Sequence, residues 1–227
     1  MSISKNTIFS LSLSIPLCFH AHATLVDEAR PISHSMSTYP TTLSTTDLND
    51  EIWAEMDSIG SGTEELHKAL LMQPKATHLS LSTRSLGDDV LEMLGDFSHI
   101  QHLYLKENCF TDEGAKFLKN FRGLKEIDLS RNYITSAGLH SLPIEDLEVL
   151  GLNFLQINDE AFLNKLSAAS KLKELYVAGG SLNDKSLEIL ARSTSLKRLD
   201  ISYNSIEEKT VQKLKEINPS LYIINNK

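Results

Sequence analysis

The sequence predicts an α/β solenoid, in which parallel strands line a concave face and helices cover the convex face. The first observation is an apolar position that recurs with separations of 24, 24, 23, 25 and 24 residues. The second is that two further apolar positions follow it in each unit. One lies two residues later, which is the period of a strand, and the other lies further along the chain and is called the anchor position. The third is a helix-like segment between consecutive strands. Stacked units of unequal strand and helix width curve, so we expect a horseshoe.

The recurring positions define six units and the start of a seventh. The leading position holds Leu79, Leu103, Ile127, Leu150, Leu175 and Leu199. The position two residues on holds Leu81, Leu105, Leu129, Leu152, Val177 and Ile201. The anchor position holds Leu86, Phe110, Ile134, Ile157, Leu182 and Ile206. A partial terminal strand, Leu221 to Asn225, closes a repeat domain that we place at residues 76–227.

The second half of each unit has the features of a helix N-terminus. The four clearest segments are Thr111 to Ala115, Thr135 to Leu139, Asn158 to Phe162 and Asn183 to Leu187. Their leading Thr or Asn side chains can accept hydrogen bonds from the first turn, and acidic residues favour the same end. These segments therefore predict one helix per repeat, beginning after the Thr or Asn.

Residues 1–23 have the features of a secretory signal peptide. Lys5 supplies positive charge, Ile8 to Phe19 form a short apolar run, and Ala21-His22-Ala23 supplies small residues for cleavage after Ala23. The run is shorter than the roughly 20 apolar residues of a transmembrane helix, so no integral membrane segment is expected after cleavage. We expect export to a periplasm, to the medium or into a host cell. The alternative is a soluble protein with an apolar N-terminal helix.

Two further segments precede the repeats. Residues 24–46 are rich in Ser, Thr and Pro and indicate a flexible lead. Residues 47–75 are predicted to form an N-terminal helical cap, with one helix over Asp47 to Asp57 and a second helix capped by Thr63. A first repeat has no neighbour to bury its inner face, so the cap is expected to cover that end of the core.

Asparagines at the turn after the strand predict a structural ladder. Asn108, Asn132 and Asn204 can pair their side-chain amides with backbone groups of neighbouring turns. The equivalent positions in the first, fourth and fifth units hold Arg84, Leu155 and Gly180. Those three turns must therefore satisfy their polar groups in another way.

These residues carry a family resemblance. The segment Leu124 to Ile134, LKEIDLSRNYI, resembles the signature of the leucine-rich-repeat superfamily, and the resemblance extends from about Ala76 to Asn225. FTDEGAKFL (Phe110 to Leu118) is similar to the 24-residue repeats of bacterial effectors and to ribonuclease-inhibitor-like and F-box-associated repeats. The resemblance implies a binding scaffold whose partner differs between members. Some bacterial relatives add an F-box, but residues 43–75 lack its Leu-Pro opening.

Alternation along the strands places a set of side chains on the concave face. The candidate binding residues are His78, His102, Tyr104, Glu126, Asp128, Glu174, Tyr176, Arg198 and Asp200. Tyr104 and Tyr176 are the predicted anchors because tyrosine combines contact area with a polar tip. Arg131, Phe154 and Tyr203 at the strand ends can extend the patch. The alternative is an ordinary solvated sheet face.

The row of His78, His102 and Glu126 raises the possibility of a metal site, because all three are ligand types on successive strands. Three collinear side chains do not converge easily on one point, so we predict no metal and no cofactor. Catalytic motifs such as a G-x-S-x-G elbow or a phosphate loop are missing from the sequence, which favours a protein that is not an enzyme.

Composition narrows the class of partner. The formal net charge is −8, from 22 Lys and Arg against 30 Asp and Glu, which disfavours nucleic acid. Signal cleavage would also remove Cys18 and leave Cys109 as the only cysteine of the mature chain. The main hypothesis is an exported protein that binds another protein through its concave face. The alternatives are a bacterial effector that recruits ubiquitin-ligase machinery of a host through residues 24–75, and a receptor for a small polar ligand or metal at the histidine row.

Overall fold

A single parallel sheet organises the described part of the chain. The computed structural model describes Trp53, Ala54, Met56 and residues 59–227. Seven strands pair in sequence order, each parallel to the next, with helices in the connections. The strands are β1 (His78–Ser80), β2 (His102–Tyr104), β3 (Glu126–Asp128), β4 (Val149–Gly151), β5 (Glu174–Tyr176), β6 (Arg198–Asp200) and β7 (Tyr222–Ile224). The predicted α/β solenoid with a parallel sheet is confirmed.

The helices lie between the strands. They are α1 (Thr63–Leu71), α2 (Asp88–Leu94), α3 (Asp112–Ala115), α4 (Ser136–Leu139), α5 (Glu160–Ser167), α6 (Asp184–Leu190) and α7 (Glu208–Ile217). Short 3₁₀ turns at Gly95–Phe97 and Lys116–Asn120 continue α2 and α3. One short helix in each connection returns the chain to the next strand, so each repeat takes about 24 residues.

The core consists of the recurring apolar positions. The strand register aligns Leu79 with Leu103 and Leu103 with Ile127, and the alignment continues through β7. All six leading residues have 0% exposure. Phe110, Phe121 and Phe162 are among the largest fully buried side chains and fill the space beneath the helices. Each fully buried side chain of this size contributes about 1.5–3 kcal/mol, so the stacked repeats stabilise one another.

The N-terminal cap differs from the prediction at its beginning. Trp53 forms a parallel bridge with His78, and the Ala54 amide donates to the His78 carbonyl at 2.8 Å. The chain is therefore paired with the sheet edge there, and the predicted helix over Asp47 to Asp57 is wrong at these two residues. The other residues of 47–58, apart from the buried Met56, lie outside the described residues, as do the predicted signal peptide and the lead of residues 24–46.

Helix α1 follows the prediction closely, with one change at its start. It buries Leu66 and Leu70, but Gly62 is the N-cap and makes no side-chain hydrogen bond. Thr63 is instead the first helical residue. Arg84 then links the cap to the repeats, since its guanidinium donates to the carbonyl of Met56 at 2.6 Å and to that of Ile59 at 2.9 Å.

Asparagine side chains join the turns of neighbouring repeats. The Asn132 side-chain nitrogen donates to the carbonyls of Leu105 (3.0 Å) and Leu129 (2.8 Å), while its oxygen accepts from the Phe110 amide at 3.2 Å. Asn108 and Asn204 make the corresponding bonds in their own turns. In the fifth unit, which has Gly180 at this position, the Gly180 carbonyl accepts from the Ile157 amide of the fourth unit at 2.9 Å instead.

The helix caps follow the predicted pattern in three units and depart from it in one. Thr111, Thr135 and Asn183 each accept a hydrogen bond from a backbone amide of the first turn. In the fourth unit Asp159 caps α5 in place of Asn158, and its carboxylate accepts from two backbone amides. That unit is the 25-residue one, and its extra residue lies between the anchor and the helix, which moves the cap by one position.

No helix in the described part of the chain is long and apolar enough to cross a membrane.

Candidate functional site: the concave sheet face

The strand register assembles the predicted rows on one face. His78, His102, Glu126, Val149, Glu174 and Arg198 lie side by side on successive strands. Tyr222 on β7 extends this row beyond Arg198. Tyr222 was not among the residues predicted for this face, although the partial strand that begins at Leu221 indicated its position. The rows are therefore formed, but their members differ widely in how accessible they are.

The N-terminal half of the face is covered by the cap. The Trp53 ring stacks on Tyr104 with centroids 5.7 Å apart and lies 4.8 Å from His78. Tyr104 is 6% exposed and His78 is 4% exposed. The prediction that Tyr104 is an exposed binding anchor is therefore wrong, because an aromatic residue of the preceding segment already occupies its surface.

His78 and His102 stack on each other and do not converge on a point. Their ring centroids are 4.0 Å apart and nearly parallel, at 5°. The His102 Nδ1 lies 3.2 Å from a Glu126 carboxylate oxygen, and the His78 Nδ1 lies 2.9 Å from the Thr77 hydroxyl. Among the described residues no group of three or more His, Cys, Asp or Glu side chains is arranged to hold a metal.

Asp128 is buried at the middle of the sheet. Its Oδ1 accepts a hydrogen bond from the Ser130 amide at 2.9 Å, and a Cβ at Gly151 on the next strand would lie 2.6 Å from the same oxygen. Burial raises the pKa of Asp128, an effect that the hydrogen bonds with Ser130 and the positive charge of Lys106 partly oppose. With 4% exposure, Asp128 is not available to a partner, contrary to its place among the predicted binding residues.

The C-terminal half of the face is accessible and carries a connected group of side chains. The Arg198 guanidinium lies 5.8 Å from the Tyr176 ring centroid and 5.7 Å from that of Tyr222. The Tyr176 hydroxyl donates to a Glu174 carboxylate oxygen, and burial together with this hydrogen bond raises the pKa of Tyr176. Tyr222 is 62% exposed. Asp200 completes the group and accepts from the Ser202 amide at 3.0 Å.

We call Glu174, Tyr176, Arg198, Asp200 and Tyr222 the C-terminal cluster. Its central guanidinium is held between two aromatic rings, which favours cation–π contact and limits side-chain motion. The buried Arg198 Nε has no hydrogen-bond partner among the described residues. Tyrosine and arginine are enriched at protein interfaces and among their hot-spot residues.

A rim of turn residues borders the same face. Each repeat turn has a left-handed residue, at Thr83, Glu107, Arg131, Phe154, Gly179 and Tyr203. The first and fifth turns have a second one, at Ser85 and Ser181. The Arg131 guanidinium lies 4.0 Å from the centroid of the Phe154 ring. A Cβ at Gly179 would lie 2.7 Å from that ring, so the glycine both permits φ +63° and makes room for Phe154. Phe154 and Tyr203 are exposed beside the cluster.

Comparisons with known proteins agree with this architecture. A family model described as leucine rich repeat matches residues 98–119 and 192–214. An internalin (inlF) from Listeria monocytogenes is structurally similar, with a TM-score of 0.52, 18% identity, and coverage of 69% of this chain and 49% of that one. An internalin C2 from the same organism gives a TM-score of 0.53, 25% identity, and coverage of 67% and 62%. The chain is therefore a leucine-rich-repeat protein.

A curated relative shares sequence over the same proportion of the chain. The adenylate cyclase of Schizosaccharomyces pombe is 31% identical over 154 residues, which are 68% of this chain and 8% of that protein. The chain thus spans a small part of the cyclase and about half to two thirds of the two internalin structures. These similarities describe the repeat scaffold.

Proposed function

We propose that this leucine-rich-repeat protein binds another protein through the C-terminal half of its concave face. The observation that carries the proposal is the C-terminal cluster, in which Arg198 is held between Tyr176 and Tyr222. The N-terminal half of the face is covered by Trp53 and offers less surface. The binding site is therefore narrower than the whole concave row, and Phe154 and Tyr203 form its rim.

The chemistry of the cluster favours a protein partner over a small molecule. Glu174, Arg198 and Asp200 present both signs of charge next to two tyrosine rings, and a partner surface can pair with all of them at once. We propose a binding role without catalysis, since burial and the hydrogen bond to Glu174 raise the pKa of Tyr176 and keep its hydroxyl in the neutral form, which is a poor nucleophile.

Site-specific photocrosslinking tests this proposal directly. A benzophenone amino acid is introduced at Tyr222 in one variant and at Ile217 in the control. Both side chains are 62% exposed, but Tyr222 lies on β7 of the sheet and Ile217 lies at the end of α7. Each variant is irradiated in candidate host and bacterial lysates. We expect one discrete crosslinked protein from position 222 that position 217 does not give; equal labelling from both would contradict a concave-face site.

Export is a separate proposal, and its support is the sequence of residues 1–23. Cleavage after Ala23 predicts a mature chain that begins at Thr24. N-terminal sequencing of protein recovered from a secreting host checks this start. An Ala21→Arg/Ala23→Arg variant, which lacks small residues at the cleavage site, is the control. Recovery of an intact N-terminus from the wild type would contradict the proposal.

A further inference from the structure

A second site candidate lies away from the concave face. A cavity of about 510 Å³ opens between the helical connections of three consecutive repeats. Its wall includes Lys119, Arg122, His140, Pro143, Glu145 and Lys165. The volume is in the range of small-ligand sites, about 300–1,000 Å³. Three cationic side chains against one carboxylate give this wall an excess of positive charge, in a protein whose formal net charge is −8.

Lys165 is the fixed element of the wall. Its ammonium donates to the carbonyl of Leu142 at 2.7 Å and to that of His140 at 3.2 Å. An ammonium has three donors, so these two bonds leave one that neither carbonyl uses. Because these two partners are carbonyl oxygens and not a carboxylate, neither of them offsets the positive charge of the lysine.

The other two cations of the wall are Lys119 and Arg122. Among the described residues, seven of the fifteen lysines form ion pairs with carboxylates, at positions 68, 116, 171, 173, 185, 209 and 213. Within the described residues, Lys119 and Arg122 have no such pair, although both are exposed on the cavity wall. His140 also uses its ring to contact Asp159, with the Nε2 2.9 Å from a carboxylate oxygen. That carboxylate is therefore engaged by the histidine.

We propose that this cavity binds a small polyvalent oxyanion of phosphate or sulfate chemistry. The Arg122 guanidinium supplies a planar pair of donors suited to such a group, and the two ammonium groups supply point charges around it. Leu142 and Pro143 form an apolar part of the wall that accommodates a small organic portion. The site is independent of the concave face, so its failure would leave the proposed protein-binding function intact.

Isothermal titration of the full chain tests the proposal with two probes, inorganic pyrophosphate and inorganic sulfate, in a low-salt buffer without phosphate. The cavity variant is Lys119→Glu/Arg122→Glu. The matched control is Lys75→Glu/Arg192→Glu, which changes the same two residue types and the same total charge at exposed positions away from the cavity. Circular dichroism establishes that both double variants fold, and Arg122→Gln is the milder replacement if the cavity variant does not.

We expect the wild type and the control to bind one equivalent of at least one probe, and the cavity variant to bind it at least about tenfold more weakly. Binding should also weaken when salt is raised to about 0.15 M, because the cavity is open to solvent. The probe that binds more tightly identifies phosphate or sulfate as the recognised chemistry. No binding of either probe at millimolar concentration, or an equal loss in the control, would overturn the proposal.

Discussion

The carboxylate of Asp112 accepts two hydrogen bonds from Thr135, one repeat further along the chain, and both are 2.7 Å long. One comes from the Thr135 backbone amide and the other from its hydroxyl. Asp88 holds Thr111 in the same way, at 2.8 and 2.6 Å. The acid at the first position of one helix thus fixes the cap of the next, and a second polar ladder runs along the convex side beside the asparagine ladder.

Removal of this link should destabilise the stack. Asp112→Ala loses both hydrogen bonds to Thr135, and we expect the free energy of unfolding to fall by about 1–2 kcal/mol. The control is Glu113→Ala, because Glu113 is the next residue in the same helical turn and makes only an exposed ion pair with Lys116. Urea denaturation measures both variants. If Glu113→Ala lowers the free energy of unfolding as much as Asp112→Ala does, the inter-repeat hydrogen bonds do not account for the loss.

The glycine of the repeat makes room for this aspartate. A Cβ at Gly138 would lie 2.4 Å from the Asp112 Oδ1 and 3.0 Å from the Asp112 Cα. A helical Gly→Ala change usually stabilises by up to about 1 kcal/mol, but here we expect Gly138→Ala to destabilise by about 1–3 kcal/mol. Gly123→Ala is the control, since a Cβ there meets nothing within 4 Å. Thermal unfolding compares the two; a stabilised Gly138→Ala variant would refute the close approach.

Asn132 should be among the most sensitive polar residues of the chain. It is 8% exposed, and its replacement by alanine removes the hydrogen bonds to the Phe110 amide and to the Leu129 carbonyl, and leaves the Leu105 carbonyl with Asn108 as its side-chain donor. We expect a loss of about 2–4 kcal/mol in the free energy of unfolding. The exposed Asn158 has no side-chain bond among the described residues, and Asn158→Ala should change stability by less than about 0.5 kcal/mol. Similar losses at the two positions would argue against the ladder.

The buried carboxyl of Asp128 predicts a pH dependence of stability. Its pKa in the folded state is raised above the ordinary value of 3.8 by burial, so the folded state binds the proton more tightly than the unfolded state. Stability associated with this group is therefore greatest at low pH and falls as the pH rises through the folded-state pKa. Asp128→Asn keeps an oxygen that can accept the hydrogen bond from the Ser130 amide. It also removes the ionisable carboxyl, and with it the loss of stability at higher pH.

We expect Asp128→Asn to raise the free energy of unfolding relative to wild type at pH 7, and to raise it much less near pH 4. Urea denaturation at both values measures the difference. Asp200→Asn is the matched control, because Asp200 makes the same bond to the amide two residues on but is only half-buried. A stability difference for Asp128→Asn that does not change with pH would contradict the assignment.

The repeat architecture was predictable because its signal is local. Leu103, Leu105 and Asn108 are spaced by the geometry of one strand and one turn, and the next repeat shows the same spacing again. Parallel stacking then follows, since each repeat can bury its apolar side only against its neighbours. For the same reason the positions of Asn132 and of the terminal strand could be read from the chain alone.

The accessibility of the concave face was not predictable in this way. Trp53 covers Tyr104 from about fifty residues upstream, while the spacing of Leu48, Ile52 and Met56 suggested a helix in that segment. Asp128 is buried because the neighbouring strand has Gly151 beside it, which is a pairwise fit between repeats. The hydrogen bonds that Asp112 accepts from Thr135 of the next repeat were not predictable either. The position of Asp112 in the sequence indicates only a role at the N-terminus of its own helix.

The measurement that tests the central claim most directly is the affinity of the crosslinked partner for three purified proteins. They are the wild type, Tyr176→Ala/Tyr222→Ala and Ile217→Ala. Truncation of two anchor tyrosines that flank Arg198 should weaken binding by at least about 30-fold, the effect of one hot-spot residue, without loss of cooperative unfolding. Ile217→Ala should bind like the wild type. Unchanged affinity in the double variant, or an equal loss in Ile217→Ala, would place the partner away from the C-terminal cluster.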